Sequence, residues 1–183
     1  AAMDVTFTPL AIPDVLLIEH QVARDERGFF VESYREDAFL RAGLPRFVQD
    51  KPTRSGAHVL RGLHSHTAPM AAGKLVRCLA GRVFDVAVDL RRRSPSYGRF
   101  VAVEQAGEDC RMLWIPPGFA HGLLTLEPDT EVAYKVSAYY SPAHDRALRW
   151  NDPAIGIPWP VAEPLVSAKD RAAPLLAESD PGF

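Results

Sequence analysis

The stretch V-L-R-G-L-H-S-H-T-A-P-M-A-A-G-K, from Val59 to Lys74, decides the fold. Its apolar residues predict a β-strand that ends at a turn containing proline and glycine. Alternate side chains of an extended chain share a face, so His64 and His66 are expected to point the same way. A strand that only fills a core has no need of Arg61, two histidines and Lys74 within sixteen residues. The stretch therefore predicts a β-sheet protein with a polar functional site on this strand.

Short strand-like segments surround this stretch and are separated by turn signals. The segment 83–90, V-F-D-V-A-V-D-L, places its large apolar residues on one face and Asp85 and Asp89 on the other. This pattern predicts an all-β fold, an antiparallel sandwich or barrel. The other expected strands are 15–19, 29–34, 47–55, 75–79, 100–104, 112–115, 122–126 and 131–139. One short helix is expected over 35–42, because good helix formers precede Gly43 there.

The length of 183 residues and the 47% hydrophobic content predict a single domain over 1–183. We expect N-terminal strands to about residue 55, a core over about 56–140, and a C-terminal wrapping segment over about 141–183. From residue 153 onward the chain is rich in proline and alanine, which favours loops over the surface.

The net charge of −2 predicts no general attraction to nucleic acid or to an anionic membrane. No apolar run approaches the ~18 residues that would cross a membrane. Two cysteines, Cys78 and Cys110, lie in strand-like segments and fit buried thiols in a reducing compartment. The expected location is the cytoplasm.

Two local motifs resemble those of the cupin proteins. His64-Ser65-His66 has the H-x-H spacing of the first cupin motif, and the stretch 116–121 has the P-x-G-x-x-H spacing of the second. A metal-binding cupin normally adds a glutamate three or four residues after the second histidine, where this chain has Pro69 and Met70. We therefore predict no metal and no other cofactor, while a three-histidine metal site stays open as an alternative.

A longer, ordered set of motifs is more specific. It consists of D-E-R-G-F-F-V-E (25–32), R-G-L-H (61–64), G-K-L-V-R (73–77), F-D-V-A-V-D-L (84–90), W-I-P-P-G-F-A-H-G (114–122), Y-K (134–135), Y-Y-S-P (139–142), R-W-N-D-P (149–153) and S-A-K-D (167–170). In this order and spacing the chain resembles the dTDP-4-dehydrorhamnose 3,5-epimerases, from about residue 5 to about residue 175. The resemblance implies a cupin-type jelly-roll barrel with a few short helices. It also implies a homodimer whose subunits exchange N-terminal strand contacts, for which the apolar strand 15–18 is the expected donor.

The chemistry of such an enzyme requires a base, an opposed acid and an electrophilic group near a ketone oxygen, because a proton leaves one face of a carbon and returns to the other. His64 is the natural base, since an imidazole can be neutral near physiological pH. Tyr134 can donate a proton from its phenol, and Lys74 offers a positive charge to the enolate. The resemblance, rather than the local sequence, pairs Asp170 with His64.

The resemblance also implies a set of substrate-binding residues. Arg27 and Arg61 are assigned to the diphosphate and nucleotide, although Arg61 has the opposite strand parity from His64. Either the strand is irregular there, or Arg61 serves a site shared with a partner subunit. The further substrate-binding residues are Phe30, Glu32, Gln49, Lys51, His121, Tyr140 and Lys169.

The expected function is therefore inversion of C3 and C5 of dTDP-4-dehydro-6-deoxy-D-glucose. Three alternatives remain: an enzyme that inverts only C3 or isomerises a related keto sugar, a metal-dependent cupin enzyme, and a nucleotide-sugar binding protein without catalysis. Lys51 stands where the family usually has asparagine, and His66 where glutamine is common. These two departures fit a change of substrate or of reaction within the family.

Overall fold

Two six-stranded sheets form the body of the protein in a computed structural model that describes residues 4–183. Residues 1–3 of the expected domain lie outside the described range. The strands are β1 (Val5–Pro9), β2 (Leu16–His20), β3 (Val22–Asp25), β4 (Gly28–Val31), β5 (Gln49–Ser55), β6 (Val59–His66), β7 (Lys74–Ala80), β8 (Arg82–Asp89), β9 (Phe100–Ala106), β10 (Met112–Ile115), β11 (Phe119–Thr125), β12 (Thr130–Val136), β13 (Asp145–Ala147) and β14 (Leu165–Val166). The helices are α1 (Glu36–Arg41) and α2 (Ala168–Arg171), with 3-10 turns at Gly107–Asp109 and Leu176–Glu178.

The first sheet has the strand order β1-β2-β10-β7-β12-β5, and the second has β13-β6-β11-β8-β9 with β14 beside β6. Strands β3 and β4 form a separate two-stranded hairpin. Side chains from both sheets fill one core, with Val76 and Leu113 from the first sheet packed among Val83 and Leu123 from the second. This arrangement confirms the all-β, jelly-roll-like fold. It corrects the expectation of a barrel, because no strand pairing within residues 4–183 joins the two large sheets.

Strand β8 is buried on both of its faces. Asp85 and Asp89 are 0% exposed although they alternate with the large apolar residues. Their carboxylates are paired inside the protein, Asp85 with Gln105 and Asp89 with Arg91. The alternation therefore separates two buried faces, and the one with the aspartates contributes to the functional site.

The expected N-terminal and C-terminal segments are more integrated than their composition indicates. The strand proposed for exchange lies inside its own sheet, where β2 pairs with both β1 and β10 and Ile18 is buried. The fold therefore does not support exchange of this strand between subunits. The C-terminal segment runs largely as loops, but it also contributes β14 and α2, which places Asp170 against β6.

Strand β6 is irregular at Gly62. An irregular strand was one of the two explanations for the position of Arg61 relative to His64. His64 pairs with His121 and Arg61 pairs with Leu123, so β6 uses one residue more than β11 between these pairs. Such a bulge shifts the alternation of side chains by one position. Gly62 has a φ of 121°, and a Cβ there would lie 2.6 Å from the His121 carbonyl oxygen. Only glycine suits this position.

Across residues 4–183, no helix has the length and apolar character needed to cross a membrane.

Candidate active site

A cavity of about 240 Å³ lies beside strand β6 and is bordered by both sheets. Its lining residues are Lys51, His64, His66, Ala72, Lys74, Tyr134, Val136, Ala138, Tyr139, Tyr140, Asp145 and Lys169. The second sheet contributes the two histidines, while the first contributes Lys74 and Tyr134. The expected common orientation of His64 and His66 is confirmed, because both line this cavity.

His64 and Asp170 form a hydrogen-bonded pair, with 2.6 Å between Nε2 and Oδ1. The Asp170 side chain is 5% exposed, and its other oxygen accepts the backbone N–H of Gly62 at 3.1 Å. Burial raises the pKa of this carboxyl, but the bonds from His64 and Gly62 outweigh burial and hold the pKa below its usual value. An ionised Asp170 fixes the His64 tautomer that carries its proton on Nε2. The second ring nitrogen, Nδ1, then has a free lone pair for a proton.

The Ser167 side chain caps the short helix α2 by accepting the N–H of Asp170 at 3.1 Å. The cap fixes the backbone of Asp170, and the Gly62 N–H fixes its carboxylate. Asp170 is therefore positioned by the fold, 106 residues along the chain from the histidine that it contacts.

Tyr134 reaches the cavity from β12, in the sheet opposite His64. Burial raises the pKa of its phenol, while nearby Arg61 acts in the opposite direction. Tyr134 is therefore a neutral phenol at physiological pH and can donate a proton. Since the two side chains approach from different sheets, a molecule in the cavity would meet a base and an acid on different sides.

A second histidine–aspartate pair lies behind this cavity. His121 Nε2 is 2.5 Å from Asp85 Oδ1, and the His121 ring lies edge to face with Tyr134 at 6.3 Å between centroids. Both members of the pair are buried. Burial lowers the pKa of His121 more than Asp85 raises it, so the imidazole is neutral near pH 7. A neutral imidazole held by a carboxylate can act as a fixed hydrogen-bond donor or acceptor.

Lys74 lines the same cavity. Its ammonium group is buried, while the residue as a whole is partly exposed. Burial lowers its pKa to about 8, and the positive charge of Lys51 adds to this effect. The carboxylates of Asp145 and Asp85 act in the opposite direction. No carboxylate of residues 4–183 lies within 4 Å of the Lys74 ammonium. The cation is therefore free to stabilise a negative charge that develops in the cavity.

The bulge in β6 brings Arg61 towards the site. In the described range 4–183, no carboxylate pairs with its guanidinium, which instead donates to the Ser55 hydroxyl at 3.1 and 3.0 Å. The positive charge of Arg61 acts on the phenol of Tyr134, which lines the cavity. Arg61 itself is not among the lining residues. Because the bulge adds a residue, Arg61 lies on the His64 side of the sheet rather than on the opposite side.

Three further expected residues, Lys51, Tyr140 and Lys169, line the cavity, and Gln49 contacts one of them. Lys169 forms an ion pair with Asp145, and the Tyr140 hydroxyl lies 3.4 Å from the same carboxylate. Gln49 accepts the backbone N–H of Tyr140 at 3.2 Å. Lys51 lies over the Tyr140 ring, 4.7 Å from its centroid.

Arg27, Phe30 and Glu32 are the expected binding residues that the single chain does not bring to this cavity. Arg27 is exposed at the turn of the β3–β4 hairpin and pairs with Asp25. Phe30 is 69% exposed. Glu32 lines a different, larger cavity of about 400 Å³ next to His20.

Two side chains with roles in the site were not identified from the sequence. The sequence places Asp85 only on the polar face of the strand 83–90, and nothing local pairs it with His121. Asp145 follows the Y-Y-S-P motif and has no local signal for a function. Both become recognisable only through their contacts with His121 and Lys169.

The residues described by the structure contain no group of three or more histidine, cysteine, aspartate or glutamate side chains that could hold a metal ion. The Nε2 atoms of His64 and His121 instead face the carboxylates of Asp170 and Asp85.

Comparisons with known proteins agree with this geometry. The family described as dTDP-4-dehydrorhamnose 3,5-epimerase matches residues 9–178. A dTDP-4-dehydrorhamnose 3,5-epimerase of Salmonella typhimurium is 52% identical over 172 residues, which are 92% of this chain and 94% of the relative.

Solved structures extend the similarity to three dimensions. A dTDP-6-deoxy-D-glucose-3,5-epimerase from Legionella pneumophila, in complex with dTDP-4-keto-L-rhamnose, has a TM-score of 0.92 and 43% identity, over 97% of this chain and 95% of that one. A 3'-monoepimerase from Streptomyces bikiniensis, in complex with dTDP-quinovose, has a TM-score of 0.88 and 32% identity, over 93% and 87% of the two chains. With a family match over most of its length and close relatives of the same kind, this chain belongs to the dTDP-4-dehydrorhamnose 3,5-epimerase family.

Proposed function

We propose that this protein is an isomerase that inverts C3 and C5 of dTDP-4-dehydro-6-deoxy-D-glucose and forms dTDP-4-dehydro-L-rhamnose. One observation carries the proposal: a histidine held by a buried aspartate and a neutral tyrosine flank one cavity from opposite sheets. The same cavity is lined by a lysine that has no carboxylate within 4 Å among residues 4–183. Removal of a proton next to a ketone and its return to the other face requires this set of groups.

In this mechanism His64 is the base. Its Nδ1 takes the proton from the carbon next to the ketone, and the bonding electrons move into the ketone to form an enolate. Asp170 stabilises the imidazolium that results, as the carboxylate of a catalytic triad does. Tyr134 then gives its phenolic proton to the opposite face of the carbon as the ketone re-forms. Solvent afterwards returns a proton to Tyr134 and takes the proton from His64.

Lys74 and His121 act on the ketone oxygen. The Lys74 ammonium has no carboxylate partner within 4 Å among residues 4–183 and can match the oxyanion charge. A preorganised cation of this kind needs no reorganisation when the charge develops. His121, held by Asp85, supplies a neutral hydrogen-bonding group beside Tyr134.

The direct test is the reaction in deuterated water. We expect the protein, incubated with dTDP-4-dehydro-6-deoxy-D-glucose, to incorporate deuterium at both C3 and C5, as seen by proton NMR. Saturable binding of the substrate with no exchange at either carbon would contradict the proposal and would support a binding protein.

A C3-only epimerase is the second candidate, since a 3'-monoepimerase is among the similar solved structures. The relative from Salmonella typhimurium, at 52% identity, is closer than the monoepimerase at 32% and favours the double inversion. The same NMR experiment separates the two, because a C3-only enzyme would leave the proton at C5.

We also propose that the functional unit is a homodimer in which the β3–β4 hairpin of one subunit completes the site of its partner. Arg27 and Phe30 match substrate-binding positions of the family, yet in the single chain they lie away from the cavity. Phe29 and Phe30 are 47% and 69% exposed on this hairpin, and exposed aromatic pairs of this kind favour an interface. A partner's hairpin would bring the missing arginine and aromatic ring to the cavity.

We further propose that the enzyme acts in the cytoplasm. Cys78 and Cys110 are both free and buried, which is typical of proteins in a reducing compartment. Fractionation of the source cells, followed by the deuterium-exchange assay on each fraction, tests this location.

A further inference from the structure

Lys51 is a cation of the cavity wall without a carboxylate partner. It lies directly opposite Tyr134 in the β5–β12 pairing, so both side chains are on the same face of the sheet. Its ammonium is 4.7 Å from the centroid of the Tyr140 ring. Two other lysines nearby are neutralised, Lys135 by Asp50 at 3.0 Å and Lys169 by Asp145. Among residues 4–183, no carboxylate lies within 4 Å of Lys51.

His66 is the second polar group in this part of the cavity that lacks a partner. Both of its ring nitrogens are buried and form no hydrogen bond with the described residues. Its ring lies edge to face with Tyr140, 5.3 Å between centroids. A buried N–H without an acceptor costs about 1–3 kcal/mol, so this position favours a ligand that supplies the acceptor.

The charges around these two residues indicate the kind of ligand. Burial lowers the pKa of Lys51, with Asp145 opposing it. Burial also lowers the pKa of His66, and the charges of Lys74 and Lys51 add to that effect while Asp145 opposes it. An anion between Lys51 and His66 would balance the positive charge of Lys51 and accept a hydrogen bond from the His66 ring. Phosphate suits the place, because it brings negative charge together with several acceptor oxygens.

Tyr140 lies against both groups and is the residue that would have to move to admit a ligand between them. The centroid of its ring is 4.7 Å from the Lys51 ammonium and 5.3 Å from the centroid of the His66 ring. Among residues 4–183, the single hydrogen bond of the Tyr140 hydroxyl is a contact of 3.4 Å with Asp145, and the residue is 47% exposed. A modest rotation of this ring would open the space between the ammonium and the imidazole.

We propose that Lys51 and His66 form a phosphate subsite that binds the sugar-linked phosphate of a nucleotide-sugar substrate. The Lys51 ammonium and a ring N–H of His66 donate to oxygens of that phosphate, and Tyr140 turns aside to admit it. The identity of the substrate rests on the proposed function, whereas the phosphate contact can be tested without catalysis.

The test compares dTDP with dTMP by isothermal titration calorimetry. The terminal phosphate of dTDP corresponds to the sugar-linked one, and dTMP lacks it. We expect Lys51→Met and His66→Phe each to weaken dTDP binding about tenfold or more and to leave dTMP binding unchanged, as loss of a charged hydrogen bond would. Lys51→Arg and His66→Gln each keep a hydrogen-bond donor and are expected to retain most of the affinity for dTDP.

Lys135→Met is the matched control, because Lys135 lies on the neighbouring strand, paired with Asp50 rather than with the cavity. Unchanged dTDP binding in both cavity variants would overturn the subsite, even if KM for the sugar substrate rose. Equal weakening of dTDP and dTMP would overturn it too, since the effect would then not belong to the terminal phosphate. Failure of the proposed function has a different signature, namely wild-type protein without deuterium exchange.

Discussion

At the scale of single residues, we expect the activity to depend on pH through Lys74, whose ammonium group is buried. Its protonated form matches the enolate charge, and burial lowers its pKa to about 8. The active form is therefore present below that pH and is lost as the pH rises through it. The charged groups that face Lys74 from other strands include Lys51 on β5, Asp145 on β13 and Asp85 on β8.

We expect kcat/KM of the wild-type enzyme to fall on the alkaline side with a midpoint near pH 8, because kcat/KM reports groups of the free enzyme. Lys51→Met removes a positive charge that lowers the Lys74 pKa, so this midpoint should move to higher pH. Initial rates measured over a pH series check both expectations. A midpoint that stays the same in Lys51→Met would show that the Lys51 charge does not act on the titrating group.

At the scale of elements, the bulge in β6 sets the geometry of the site. It lets Arg61 and His64 share one side of the strand, and it presents the Gly62 N–H to Asp170. The bulge depends on a backbone conformation that a side chain opposes, and on a contact of β6 with β11 that leaves no room for a Cβ.

Gly62→Ala is therefore expected to lower the free energy of unfolding by about 1–3 kcal/mol from backbone strain, with a further cost from the contact with His121. The added methyl group should also displace the backbone of β6 and with it His64 and Asp170. We therefore expect kcat to fall more than the loss of folded protein explains. Urea unfolding and the deuterium-exchange rate measure the two effects. Gly56→Ala is the control, since a Cβ there meets no atom within 4 Å. Equal stability and activity in the two variants would contradict the role of the bulge.

Elements also mark the limit of what the sequence predicts. Periodicity identified most of the strands, because alternation and turn residues are local, and ordered motifs identified His64, Tyr134 and Lys74. The partners of those residues are not local: Asp170 reaches His64 across 106 residues and Asp85 reaches His121 across 36. The strand pattern places Asp85 on the face opposite the large apolar residues, and alternation alone does not tell whether that face is covered. The bulge was only one of two alternatives, since a glycine in a strand predicts irregularity but not its direction.

At the scale of the whole molecule, the proposed dimer accounts for the separation of Arg27 from the cavity of its own chain. The apolar strand 15–18 was the expected link between subunits, but it is internal to its own sheet. The exposed β3–β4 hairpin, with Phe29 and Phe30, takes its place in the proposed dimer.

A mixing experiment tests this shared site. Arg27→Ala and His64→Ala are each expected to be nearly inactive as homodimers, one for lack of a substrate contact and one for lack of the base. Unfolding and refolding them together should restore about a quarter of the wild-type activity, since half of the dimers are mixed and each has one intact site. Glu26→Ala, at the same turn, replaces Arg27→Ala in the control mixture. No recovery in the mixture, or a monomer mass by analytical ultracentrifugation, would contradict the shared site.

The most direct test of the central claim, that His64 removes the proton and Tyr134 returns it, is deuterium exchange followed by NMR in two variants. His64→Ala should abolish exchange at both C3 and C5, because no enolate forms without the base. Tyr134→Phe should retain part of the exchange while inversion fails, because a proton can leave and return on the His64 side. The exchange rate in His64→Ala and the inversion rate in Tyr134→Phe should each fall about 10²–10⁴-fold, the usual contribution of a general acid or base. Deuterium entering C3 or C5 at the wild-type rate in His64→Ala would contradict the account.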